Sequence, residues 1–167
     1  MTKLQLDKID IQILKLLQTH GRLANQELAA SIGLSPSPCS RRVKAMEEAG
    51  IISGYATLVD ANYFDLTLTA YVQVRLEKHT QTILDDFEQA IDSYDEVLEC
   101  ALLTGSDADY QLKVLVKNMD TFKHFLLTKL TSSPHIAGIR SSFVLKQVKN
   151  RTAIPLPQID KQIDEIT

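Results

Sequence analysis

The chain has 167 residues, 44% of them hydrophobic and 23% charged, with a formal net charge of −3. That composition belongs to a soluble globular protein with one large or two small domains, and it excludes collagen-like and low-complexity classes. There is no signal-peptide pattern and no apolar run of membrane-spanning length, so the expected compartment is the cytoplasm.

The negative total hides an uneven distribution. Residues 1–60 hold seven Lys/Arg and six Asp/Glu, whereas 61–167 hold eleven and fifteen. Between 20 and 46 there are four basic residues and one acid. Any field that steers a polyanion is therefore local, and more than one copy is needed for tight binding.

The first predicted helix opens at Asp7, with Asp10 in its first turn, where negative charge suits the helix dipole. Ile9, Ile13, Leu16 and Leu17 form an apolar stripe that Ile11 and Leu14 widen, and Gly21 ends the segment. A second helix is expected to be capped by Asn25 and ended by Gly33 in a left-handed conformation. Ser35 is the expected cap of a third helix, with Pro36 where no N–H is needed and Pro38 still in the first turn. Cys39, Val43 and Met46 fall at i, i+4 and i+7, which makes the buried stripe. Ser37, Ser40, Arg41 and Lys44 lie opposite, and the face reads as free of acids at pairing distance. Arg42 sits at its flank.

Two capped helices, a tight turn and a basic second helix predict a helix-turn-helix that reads DNA. The expected DNA-binding set is Ser35, Pro36, Ser37, Ser40, Arg41, Arg42 and Lys44, with Arg42 touching the DNA backbone. The competing reading is an ordinary solvated charged face. Residues 51–59 are β-prone and are expected to form a wing or a strand leading away. This places a DNA-binding domain at 1–59 and a linker at 60–67.

From Leu68 the period switches to two: Leu68, Ala70, Val72, Val74 and Leu76 alternate with polar residues through Glu77. Ile83, Leu84, Phe87, Ala90 and Ile91 then repeat at helical spacing. Strands are predicted at about 97–104 and 109–116, separated by the turn Gly105-Ser106-Asp107-Ala108. A helix with Met119, Phe122, Leu126 and Leu130 on one face follows. A Ser133-Pro134 turn then leads to a long strand at about 136–148. The order β-α-β-β-α-β is ferredoxin-like, so the fold class is α+β: an N-terminal, winged-helix-like helix-turn-helix domain plus a C-terminal ferredoxin-like βαββαβ domain over 68–156. Leu98, Leu102, Leu103, Leu112, Val114 and Leu115 place large apolar groups on both faces of two strands. The helix-free face is therefore expected to be apolar and covered by a second sheet, in a homodimer. Scattered exposed apolar residues on a single covered sheet are the plainer alternative.

Several blocks, in order, resemble the leucine-responsive/asparagine-regulator (Lrp/AsnC, feast-or-famine) transcription regulators. They are Leu6-Asp7-Lys8-Ile9-Asp10 with Ile13-Leu14, then Leu34-Ser35-Pro36-Ser37-Pro38-Cys39-Ser40-Arg41-Arg42-Val43, then Gly50-Ile51-Ile52-Ser53-Gly54-Tyr55. Glu99-Cys100, Thr104-Gly105-Ser106-Asp107-Ala108-Asp109-Tyr110 and Ser142-Phe143-Val144-Leu145-Lys146 complete the set. The resemblance runs from Leu6 to about Leu156. Where the family pattern has Asp directly after the glycine, Ser106 intervenes and Asp107 follows.

The resemblance implies double-stranded DNA as partner, a dimer joined in part by the strand after the first domain, and assembly to an octamer. It also implies an amino-acid effector bound between dimers, at Leu102, Thr104, Gly105, Ser106, Asp107 and Asp109 with Ile139 and Ser141. The chemistry of these residues fits: Gly105 admits a ligand to the backbone, a carboxylate holds an ammonium, and turn N–H groups hold a carboxylate. Apolar Leu102 and Ile139 favour leucine or methionine over a charged effector. The same turn also reads as a simple hairpin. Residues 157–167 form a tail with no evident role.

Nothing suggests catalysis. His20, His79, His124 and His135 lack metal-ligand spacing, and no phosphate loop or nucleophile motif occurs. No cofactor or metal is expected, and Asp107 and Asp109 have no base or nucleophile beside them. Cys39 is expected on a buried helix face and Cys100 in a strand, so no disulfide is expected. Two rival classes remain: a DNA-architectural protein without an effector, and a regulatory ligand-binding domain of a metabolic enzyme.

Overall fold

The structure is a computed structural model that describes residues 4–133 and 135–157. The described residues divide into two compact units, one of 4–58 with 149–157 and one within 59–148.

The first unit has three helices: α1 (Lys8–Thr19), α2 (Asn25–Ser31) and α3 (Pro36–Glu48). Asp7 and Asp10 close a reciprocal capping box on α1: Asp10 N donates to Asp7 Oδ1 at 2.9 Å and Asp7 N to Asp10 Oδ2 at 3.0 Å. The expected Asn25 cap is displaced by one residue. Ala24 is the N-cap of α2, and Glu27 accepts its N–H at 3.3 Å. The Asn25 amide is used elsewhere, donating to the Pro36 carbonyl at 2.8 Å, and so ties the start of α2 to the start of α3. Gly33 takes φ +71, which lets the chain reverse between the two helices. Ser35 is the N-cap of α3 by backbone geometry, but its hydroxyl makes no capping bond. Ile11, Ile13, Leu14, Leu28, Ala29, Cys39 and Met46 form the core of this unit.

Residues 51–59 are not a strand. Residues 53–59 run without regular structure, with Tyr55, Leu58 and Val59 exposed. A β-prone segment becomes a strand only when a neighbour satisfies its ladder, and no strand lies beside it among the described residues. Tyr55 Oη donates to Glu47 Oε1 at 2.8 Å, tying this segment to the end of α3. Residues 149–157 group with the first unit, not with the sheet domain expected to run to 156. Gln18 exchanges two hydrogen bonds with the Ile154 backbone, and Leu156 packs against the helical core. Most of the expected tail, 158–167, lies outside the described residues.

The second unit opens with a short 3-10 turn at Ala61–Phe64. Its elements are β1 (Leu68–Leu76), α4 (Gln81–Asp92), β2 (Val97–Leu102), β3 (Tyr110–Val116), α5 (Met119–Phe125) with a π-turn at Leu126–Leu130, and β4 (Ile136–Phe143). The predicted βαββαβ order is present. The four strands form one antiparallel sheet in the order β2-β3-β1-β4. β4 stops at Phe143, short of the expected 148.

Alternate residues Ala70, Val72, Val74 and Leu76 of β1, and Tyr110, Leu112, Val114 and Val116 of β3, are buried in one core with Phe87, Ile91, Phe122, Phe125 and Leu130. Phe87 packs on Tyr110 with ring centroids 4.6 Å apart, and Phe122 on Phe143 at 5.1 Å. Full burial of each such ring contributes about 1.5–3 kcal/mol.

The helix-free face differs from expectation, because it is mainly polar. The residues that alternate with the buried set are Thr69, Tyr71, Gln73 and Arg75 on β1 and Gln111, Lys113 and Leu115 on β3. Leu112 and Val114 point to the helices, and register pairs Leu102 with Tyr110, on the helix-facing side. Leu98 lies at a register shift in the edge strand. Strict alternation thus leaves Leu115 as the large aliphatic residue of these two strands on the open face.

Candidate functional site

α3 separates into the two expected faces. Cys39 and Met46 are buried and Val43 is half-buried, while Ser37, Ser40, Arg41 and Lys44 are exposed. Ser35 and Pro36 are exposed at the helix start. Burial pushes the Cys39 thiol up, as suits a packing residue. Arg41 makes no side-chain hydrogen bond or ion pair among the described residues.

Two details depart from the sequence reading. The face does carry an acid at pairing distance: Lys44 Nζ lies 3.7 Å from Glu48, one turn on. Both side chains are largely exposed, so the pair is weak and leaves Lys44 available. Arg42 is engaged within the unit. Its Nη1 donates to Asp7 Oδ2 and to Asp10 Oδ1, each at 2.8 Å. Burial would raise the Asp7 carboxyl, but the Asp10 N–H and the Arg42 guanidinium together hold it below the usual carboxylate range. Spacing along one helix could not reveal this tie, because the acids lie more than thirty residues upstream.

In the second unit, Gly105 at φ +81 starts the hairpin turn between β2 and β3. Ser106 Oγ staples that turn, donating to the Ala108 carbonyl at 2.7 Å and accepting from Ala108 N at 3.2 Å. A cavity of about 600 Å³ opens beside the turn. Ser106, Asp107 and Ala108 line it from the hairpin, Gln73 and Arg75 from β1, and Gly138, Ile139 and Arg140 from β4.

This brings together Ser106, Asp107 and Ile139 of the expected ligand set. Leu102 lines a different cavity, of about 460 Å³, with Glu88, Cys100 and Tyr110. There, burial and then Glu88 push the Tyr110 hydroxyl and the Cys100 thiol up. Thr104, Gly105 and Ser141 do not line the turn cavity. Asp109 is already bonded: Oδ2 accepts from Leu76 N at 2.7 Å and Oδ1 pairs with His79 Nε2 at 2.8 Å. It anchors the base of the hairpin to the end of β1.

Arg75, Arg140 and Gln73 were missed by sequence reasoning. Register places Arg75 opposite Gly138 and Gln73 opposite Arg140, so the two arginines are diagonal neighbours on the polar face. The Arg75 guanidinium lies over Gly138, with Nε and Nη2 3.7 Å from where a β-carbon would stand. Neither arginine has an ion-pair partner among the described residues. Their signal in the sequence was alternation with the buried set on two strands whose arginines lie 65 positions apart, visible only once the pairing is known. No cluster of three potential metal ligands occurs among the described residues, and none of their helices is long and apolar enough to cross a membrane.

These features agree with comparisons to known proteins. Residues 6–53 match the family model for a winged helix-turn-helix DNA-binding domain, and 69–154 match the Lrp/AsnC ligand binding domain. The chain is 42% identical over 152 residues to the Bkd operon transcriptional regulator of Pseudomonas aeruginosa, covering 91% of this chain and 99% of that protein. It is 37% identical over 151 residues to the leucine-responsive regulatory protein of Escherichia coli K12, covering 89% and 92%. A crystal structure of a Neisseria meningitidis transcriptional regulator in complex with L-Met superposes with a TM-score of 0.86 at 42% identity, covering 90% of this chain and 97% of that one. The basic helix-turn-helix and the ferredoxin-like ligand-binding sheet are therefore the two halves of a DNA-binding transcriptional regulator, and the chain belongs to the Lrp/AsnC family.

Proposed function

We propose that this regulator binds a small α-amino acid, leucine or methionine, in the cavity beside the Gly105–Ala108 turn, and that occupancy changes its assembly and its hold on DNA. The supporting observation is the lining of that cavity. Asp107 supplies a carboxylate, and Arg75 and Arg140 supply two guanidinium groups without ion-pair partners among the described residues. A free amino acid carries an ammonium and a carboxylate close together. Removing both from water is least costly where each meets an opposite charge. Ile139 lines the cavity between Gly138 and Arg140, but it pairs with Val74 and packs on the helix side of the sheet, so the choice of an aliphatic or thioether effector rests on the relatives. The E. coli relative is described as leucine-responsive, and the Neisseria relative was crystallised with L-Met.

The DNA contacts are assigned to α3. Arg41 and Lys44 face the groove, with Ser37 and Ser40 near phosphates or base edges and Ser35 and Pro36 at the leading end. A two-fold dimer places two such helices about one helical turn apart, or a multiple of it, on a near-palindromic site. Assembly of dimers toward an octamer multiplies contacts that are individually weak, as the mild basic charge of 20–46 requires. The effector acts by population shift between assemblies, in the cytoplasm where free amino acids and DNA meet.

Calorimetry with L-leucine and L-methionine on the wild type and on Asp107→Ala tests the site. Binding to the wild type with a loss of at least about tenfold in the variant, the scale of one charge-assisted bond, is expected. Equal binding to both would move the site elsewhere. Binding of neither amino acid to the wild type would favour an architectural DNA-binding role.

A further inference from the structure

We propose that Arg42 is a positioning residue for the DNA-reading helix and makes no contact with DNA. The observation is a closed ring of four bonds. Asp7 uses Oδ1 to accept Asp10 N, and Asp10 uses Oδ2 to accept Asp7 N. The remaining oxygens, Asp7 Oδ2 and Asp10 Oδ1, both accept from Arg42 Nη1 at 2.8 Å. All four carboxylate oxygens of the α1 capping box are thus used, two within α1 and two on α3. The helix cap and the tie between helices are one structure.

Charge and geometry both argue against a phosphate contact for Arg42. The cluster of one guanidinium and two carboxylates is net negative, so it does not attract a polyanion. The Arg42 side chain is 33% exposed, against 74% for Lys44. The neighbouring Arg41, about 100° further round the helix, is exposed and has no side-chain partner among the described residues. A second tie holds the other end of α3, where Asn25 Nδ2 donates to the Pro36 carbonyl at 2.8 Å. Between them the two ties fix α3 against α1 and α2 in position and in rotation about its own axis. That rotation decides whether Arg41 meets base edges while Lys44 meets the phosphates. Small errors in it affect the reading of sequence more than they affect general attraction to DNA.

The test exploits an opposite sign. Asparagine is as good an N-cap as aspartate, so Asp7→Asn keeps α1 capped while weakening the tie to Arg42. Binding is measured on a duplex selected by the wild type from a random pool, and on a scrambled duplex of equal length, across a salt series. If Arg42 positions α3, Asp7→Asn and Arg42→Gln both lower the ratio of selected to scrambled affinity by about tenfold, the scale of one lost base contact. Both also leave the salt slope unchanged, whereas Lys44→Gln lowers it by about one. Arg42→Lys, which keeps one charge-assisted bond, restores part of the ratio and serves as the readout if Arg42→Gln fails to fold. Loss of stability with an unchanged ratio would overturn the proposal. So would tighter binding of Asp7→Asn to both duplexes, because freeing a phosphate-contacting arginine strengthens binding everywhere. A salt slope reduced by about one in Arg42→Gln would overturn it as well.

Discussion

The two units hold themselves together by different means. Among the described residues the sheet unit buries thirteen apolar side chains in one cluster and the helical unit seven. The helical unit adds side-chain ties between distant segments: Arg42 to Asp7 and Asp10, Asn25 to Pro36, Tyr55 to Glu47 and Gln18 to Ile154. A small core leaves each helix free to slide or rotate, and directional bonds remove that freedom. The sheet unit carries such ties too, among them Asp109 to His79 and Leu76 N, Tyr110 to Glu88 and Lys129 to Glu96, but there strand register already fixes where each residue faces. A reading head and a sensing sheet thus place their working groups by different rules.

Core truncations give the largest expected effects. Phe125→Ala should destabilise the sheet unit by about 3–5 kcal/mol, and Met46→Ala the helical unit by about 2–5 kcal/mol. Both side chains are fully buried. Denaturant titration followed separately in each unit checks this; a smaller loss at Phe125 than at Met46 would break the comparison. The DNA face comes next. Arg41→Ala should cost about 1–3 kcal/mol of specific binding, whereas Lys44→Ala should weaken all sequences alike. Unchanged affinity in both gel-shift titrations would remove α3 as the reading helix.

Acidification should have the smallest effect. The Asp7 carboxyl is held below its ordinary value in the fold, so its contribution is present above the usual carboxylate range and is lost as pH falls through the folded value. Glu96 has the same sign: burial raises it, but the Lys129 ammonium at 2.8 Å brings it lower. Both units therefore weaken toward acid, and the one with the smaller core should open first. Amide spectra of Gly33 and Gly105 between about pH 6 and pH 3 separate the two events. Earlier loss at Gly105 would reverse the ranking.

What the sequence disclosed followed from periodicity. Cys39 and Met46 faced inward because i and i+7 share a helix face, and β1 alternated as its period of two required. Gly33 marked the turn between helices because a left-handed residue was needed there. What it concealed depended on pairing between distant segments. Asp109 looked like a ligand carboxylate until His79 and Leu76 N occupied it. Arg75 and Arg140 became neighbours only through the β1–β4 register. Residues 51–59 had the composition of a strand, but an isolated chain offers them no ladder to join.

Gly138 gives the sensing sheet a neutral means of adjustment. An alanine there would touch the Arg75 guanidinium at 3.7 Å, ordinary contact that holds the group where it lies. A branched side chain reaches farther and would push the guanidinium aside. The position of a positive charge in the cavity can thus be retuned by an uncharged substitution on the adjacent strand. Drift at this site would alter preference for an anionic group while the inventory of charged residues stayed the same.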